Sequence, residues 1–136
     1  MGTNARRMSA ILFVLPAVCG CEDAQEPVAL PECQALVTMT VDSGASPVIS
    51  WTPVCRASVL IVDPNSDYYD SWVLATVGDT NGLQPPIRYG TNPDGSRTIL
   101  ASAVLQAGRF YRVRLLRATA DSTFPFEVVG ATFFTP

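Results

Sequence analysis

Turn-forming residues break this chain so often that a helix has nowhere to run. Asp42-Ser43-Gly44-Ala45-Ser46, Asp63-Pro64-Asn65-Ser66-Asp67, Gly78-Asp79-Thr80-Asn81-Gly82 and Asn92-Pro93-Asp94-Gly95 punctuate it, and Gly108 adds another break. Between them lie short runs rich in Val, Ile, Leu, Thr and aromatic residues, and none sustains an apolar stripe of period 3.6. The strand-like runs are 35–41, 47–53, 55–62, 72–77, 87–89, 97–104, 110–116 and 126–134. The run at 87–89 follows Pro85-Pro86, which suits an edge strand, where a missing N–H costs nothing. Seven to eight short strands in 136 residues predict one all-β domain, a β-sandwich, with no internal repeat.

The run from Cys33 to Cys55 specifies itself further. Pairing 35–41 with 47–53 as an antiparallel hairpin centred on Gly44 sets Cys33 opposite Cys55. The same register sets Val37 opposite Trp51, Met39 opposite Ile49 and Val41 opposite Pro47, all on one face by the period of two. Thr38, Thr40, Val48 and Ser50 take the other face. Of the four Cys, only Cys33 and Cys55 remain for the domain once the export and anchoring segment described below is set aside, and two Cys without any His make a poor metal site, so a Cys33–Cys55 disulfide is expected in an oxidising compartment. Closing that 22-residue loop contributes about 3 kcal/mol in the chain-entropy model.

The first twenty residues read as an address. Arg6 and Arg7 precede a nine-residue apolar run, Ala10 to Val18, too short to span a bilayer as a permanent helix. It ends in Val18-Cys19-Gly20-Cys21, which resembles the lipobox of bacterial lipoproteins; Cys19 is the less usual residue of the four. The resemblance implies cleavage after Gly20 and acylation of Cys21, with several chains anchoring where one would not. Arg6-Arg7 also invites a twin-arginine reading, but Ser9 and Ala10 stand where that signal carries bulky apolar residues. The resemblance then divides the chain into a signal peptide at 1–20, an acidic tether at 21–32 that begins with the lipidated Cys, and the sandwich at 33–136. Glu22 rather than Asp after the lipidated Cys leans toward the outer membrane of the cell envelope. Loss of 1–20 removes two Arg and no acid, leaving seven Arg against twelve Asp plus Glu, a net charge of −5. That balance argues against nucleic acid as a partner.

Two further stretches resemble the fibronectin type III family, one of the immunoglobulin-like sandwiches. Ile49-Ser50-Trp51-Thr52-Pro53 is similar to its second strand, where the Trp fills the core before a Pro-containing loop. Leu105-Gln106-Ala107-Gly108-Arg109-Phe110-Tyr111-Arg112-Val113-Arg114-Leu115 is similar to its tyrosine corner and sixth strand. Leu105, Gly108, Tyr111, Val113 and Leu115 match, while Ala107 and Arg109 replace the commoner Pro and Thr. The resemblance implies that the Tyr111 hydroxyl bonds back to the arch before it. It also implies a binding or spacing module. Extra residues around 63–72 and 80–97 lengthen the Trp-to-Tyr distance beyond the family's usual one.

The absence of Lys and His removes Ser-His, Cys-His and Ser-Lys nucleophile pairs, Schiff-base chemistry and His-ligated metal sites. Asp63, Asn65, Asp67 and Asp70 begin like a calcium loop, but Tyr68 stands where its Gly belongs and Leu74 where its bidentate Glu belongs. An acidic strand connection is the expectation, with no cofactor. Tyr68, Tyr69 and Trp72 form an aromatic cluster that could stack on sugar rings, or pack into the sandwich. Arg112, Arg114 and Arg117 read as a stripe on a solvated sheet face. No pair of carboxylates has a recognisable catalytic spacing, so the chain is read as non-catalytic. The expected function is a lipid-anchored envelope module for protein–protein interaction or spacing. The alternative is a small carbohydrate-binding lipoprotein that uses the aromatic cluster.

Overall fold

The computed structural model describes residues 28–64, 72–78 and 80–136. The signal peptide, Cys21, most of the tether, and Asn65, Asp67, Tyr68, Tyr69 and Asp70 lie outside the described residues. The described chain is all β. Its strands are β1 (Thr38–Val41), β2 (Val48–Thr52), β3 (Val59–Pro64), β4 (Trp72–Thr76), β5 (Ile87–Arg88), β6 (Ser96–Leu100), β7 (Tyr111–Ala118) and β8 (Phe126–Phe134). They form two antiparallel sheets, β1-β2-β5 and β6-β4-β3-β7-β8. The short strand after Pro85-Pro86 does sit at an edge.

Alternation decides what lies between the sheets. Met39, Ile49, Trp51 and Ile87 from the small sheet meet Leu60, Val62, Leu74, Val113 and Leu115 from the large one, all buried. Trp51 and Trp72 are the bulkiest fully buried side chains. Trp72 meets Tyr89 edge-to-face at 5.0 Å between ring centroids, and Tyr111 stacks on Phe134 at 5.6 Å. Along one side the sheets close on each other, where Val37 N donates to Val129 O at 2.7 Å. Gly130 makes this approach possible, since a Cβ there would stand 2.7 Å from Val37 Cγ2 and 3.0 Å from Met39 Cγ.

The β1–β2 hairpin keeps the expected faces but not the expected register. Met39 pairs with Trp51 and Val41 with Ile49, a shift of two residues that leaves every side chain on its face. The turn is longer than a Gly44-centred one. Asp42 N donates to Val48 O at 3.1 Å, and the Asp42 carboxylate accepts from Val48 N, so 43–47 all belong to the loop.

The Cys33–Cys55 disulfide forms, with 5.0 Å between its Cα atoms, but not across that ladder. The chain turns after Thr52, so Cys55 already lies on the return path and runs parallel to the segment before β1. Glu32 and Arg56 form a parallel bridge, with Cys33 N donating to Arg56 O at 2.9 Å and Arg56 N to Pro31 O at 2.8 Å. Cys55–Ser58, expected as strand, instead hands the chain from one sheet to the other. The strand expected to reach Val104 stops at Leu100.

Candidate functional site

The two outer faces of the sandwich differ in chemistry. Thr38, Thr40, Ser50, Thr52 and Arg88 dominate the outer face of the small sheet, as for a strand pair with one face in water. The large sheet has no such alternation. Its strand pairing sets Leu100, Val73, Ile61, Arg114 and Ala131 side by side across five strands. The next row is Arg97, Ala75, Val59, Leu116 and Val128. Phe126 and Phe133 continue the surface along β8 and are exposed. A sheet whose middle strand reads Val59-Leu60-Ile61-Val62 is apolar on both sides, and only one side faces the core.

The charges on this outer face are organised around Asp63. Its carboxylate, at the end of β3, is buried, and Arg112 stands directly opposite on β7. Arg112 Nη2 donates to Oδ1 at 3.1 Å and Arg114 Nη2 to Oδ2 at 2.9 Å. Two guanidiniums on one carboxylate leave an excess positive charge on the face, and Arg97 adds to it. The Nε atoms of Arg112 and Arg114 are buried and have no hydrogen-bond partner among the described residues.

The sequence expectation of a solvated arginine stripe is therefore corrected. Arg112 and Arg114 do point outward, as the burial of Tyr111, Val113 and Leu115 requires, but both are committed to Asp63. Arg117 has the opposite parity and folds over the disulfide end, binding Glu127 Oε2 at 2.7 Å and Cys33 O at 3.0 Å. Asp63 likewise is an arginine acceptor, not the open first position of a cation loop. Among the described residues no cluster of His, Cys, Asp and Glu could hold a metal ion.

Trp72, a candidate for stacking on sugars, is fully buried against Tyr89 and cannot present its ring to a ligand. Its Nε1 has no hydrogen-bond partner among the described residues. Trp51 is buried and donates from Nε1 to Cys55 O at 2.9 Å. Tyr111 opens β7, and its hydroxyl accepts from Gln106 N at 2.9 Å across the arch that contains Gly108. Gly108 has φ +76°, a backbone conformation that favours glycine, and Leu105 is buried beneath the arch.

Two organising residues escaped the sequence reading. Arg56 donates from Nε to Leu30 O at 2.5 Å and from Nη1 to Asn81 O at 2.7 Å, tying the chain before β1 to the loop before β5. Asn81 is buried and acts as a surrogate strand residue: Ala118 N donates to its Oδ1 at 2.8 Å while its Nδ2 donates to Ala118 O at 3.2 Å. An Asn between Thr80 and Gly82 reads as turn material, and nothing local distinguishes it.

No protein-family model matches this chain, and neither a curated protein nor a solved structure does.

Proposed function

We propose that the chain is a lipid-anchored module of the bacterial cell envelope whose fibronectin type III-like sandwich binds a protein partner or spaces an assembly, without catalysis of its own. In this reading Cys21 carries the lipid, 1–20 is removed, and the outer membrane is the destination. The positions of Trp51 on the second strand and of Tyr111 at the corner before the penultimate strand support the family likeness. The observation that carries the binding role is the contrast between the outer faces. A Thr/Ser face needs no partner, whereas Ile61, Val73, Val59 and Leu116 leave an apolar surface with an excess of arginine. Contiguous apolar surface of this kind marks interaction sites on soluble domains.

The test is photo-crosslinking of the full chain in cells from a diazirine side chain placed at Val73, with Thr40 on the opposite face as control. Amine-directed reagents do not serve, because the chain has no Lys and the processed N-terminus would be acylated. One dominant protein adduct from Val73 and none from Thr40 supports the reading. Glycan adducts would transfer the role to carbohydrate, and equal, weak labelling from both positions would leave a passive spacer.

A further inference from the structure

The disulfide end of the sandwich gathers exposed aliphatic side chains where the N-terminal segment joins the domain. Val28 is 89% exposed, Leu36 82% and Val54 50%. Leu36 and Val54 line an apolar cleft together with Pro31, Pro53 and Cys55. Leu30 and Pro31 are held there by Arg56, so the chain leaves the domain from this same end. Cys21 lies seven positions before Val28. At ~3.5 Å per residue fully extended, it can be no more than about 25 Å away.

We propose that this end is a membrane-docking surface, with Val28, Leu36 and Val54 entering the headgroup boundary of the bilayer that holds the Cys21 lipid. The inference rests on the lipoprotein reading above. The link keeps this end within about 25 Å of the lipid once Cys21 is anchored, and side-chain chemistry makes contact favourable. The charges nearby cancel in pairs, Glu32 with Arg56 at 4.0 Å and Arg117 with Glu127 at 2.7 Å. The link itself carries Glu22, Asp23 and Glu26, and the mature chain has a net charge of −5, so the attraction must come from the apolar side chains and not from anionic lipid. Docking by this end holds the two sheet faces upright, away from the bilayer.

The test uses the full lipidated chain in phosphatidylcholine vesicles, with and without bromine on the acyl chains, and the variants L36W and T40W. Trp51 and Trp72 are buried and give a constant background. Leu36 is mostly exposed, so L36W leaves the fold intact, and T40W reports from the outer face of the small sheet. Emission from L36W is expected to fall about twofold in brominated vesicles, as for an indole ~5–10 Å into the interface, with T40W unchanged. Unquenched L36W on a chain whose intact mass shows an acylated Cys21 overturns the docking and spares the lipoprotein reading. A chain without acyl mass overturns both. Equal quenching of the two variants overturns docking by this end, as does a concentration-dependent dimer that shields L36W, which would give the surface to a second copy.

Discussion

Replacing Asp63 by Asn separates charge from shape at an acid buried in the large sheet. The carboxylate accepts from two guanidiniums, at 3.1 and 2.9 Å. Hydrogen bonds to charged groups contribute ~1.5–3 kcal/mol each, so the pair would be worth about 3–6 kcal/mol if every partner were fully buried. They are not: the Arg112 and Arg114 side chains are 34% and 22% exposed, against 5% for Asp63. Water can recover part of what the arginines lose, and Asn still offers one acceptor oxygen, so D63N should cost ~2–3 kcal/mol. Urea unfolding followed through Trp51 and Trp72 fluorescence gives the value. For a domain of this size the midpoint of thermal unfolding should drop by about 10–15 °C. A cycle with R114M identifies the cause, because D63N and R114M should be non-additive by ~1 kcal/mol or more if the carboxylate and guanidinium act through each other. A D63N chain within ~0.5 kcal/mol of the parent would refute the claim that this charge organises the outer face.

Three other perturbations probe separate parts of the fold. Serine at both Cys33 and Cys55 should lower unfolding free energy by about 3 kcal/mol, measured by the same urea titration, and non-reducing peptide mapping of the parent should recover the two Cys in one linked pair. G130A should cost ~1–3 kcal/mol, since its methyl would collide with Val37 and Met39, and a neutral result would mean that the sheets can separate there freely. Y111F removes the acceptor for Gln106 N while keeping the stacked ring. A loss of about 1 kcal/mol is expected, with local amide exchange at 105–109 rising more than in the strands.

Local pattern revealed the strands because each is a short β-branched or aromatic run bounded by turn residues. β8 was legible to the residue, Phe126–Phe134. The hairpin faces were legible for the same reason, whereas its register depended on how Asp42 closes the loop, a side-chain choice that alternation does not encode. Cys33 and Cys55 were the right pair, joined by a parallel segment that no hairpin argument contains. The character of Asp63 was hidden, because the groups that neutralise it are 49 and 51 positions away. The apolar outer face did leave a trace. Val59-Leu60-Ile61-Val62 has no polar residue at alternate positions, the pattern of a strand with both sides covered, and that pattern is legible in the sequence alone.

The junction at Pro31–Cys33 also determines how the domain carries load. A pull arriving along the N-terminal chain does not meet β1 first. It enters Cys55 through the covalent bridge and Arg56 through its backbone and side chain, and from there continues into β3, the middle strand of the larger sheet. β1, an edge strand held mainly by four pairings to β2, is bypassed and is not peeled away one hydrogen bond at a time. With the bridge intact the load reaches Cys55 through covalent bonds; with it reduced, the hydrogen bonds of Arg56 to Leu30, Pro31 and Cys33 would bear it before the β1 pairings do.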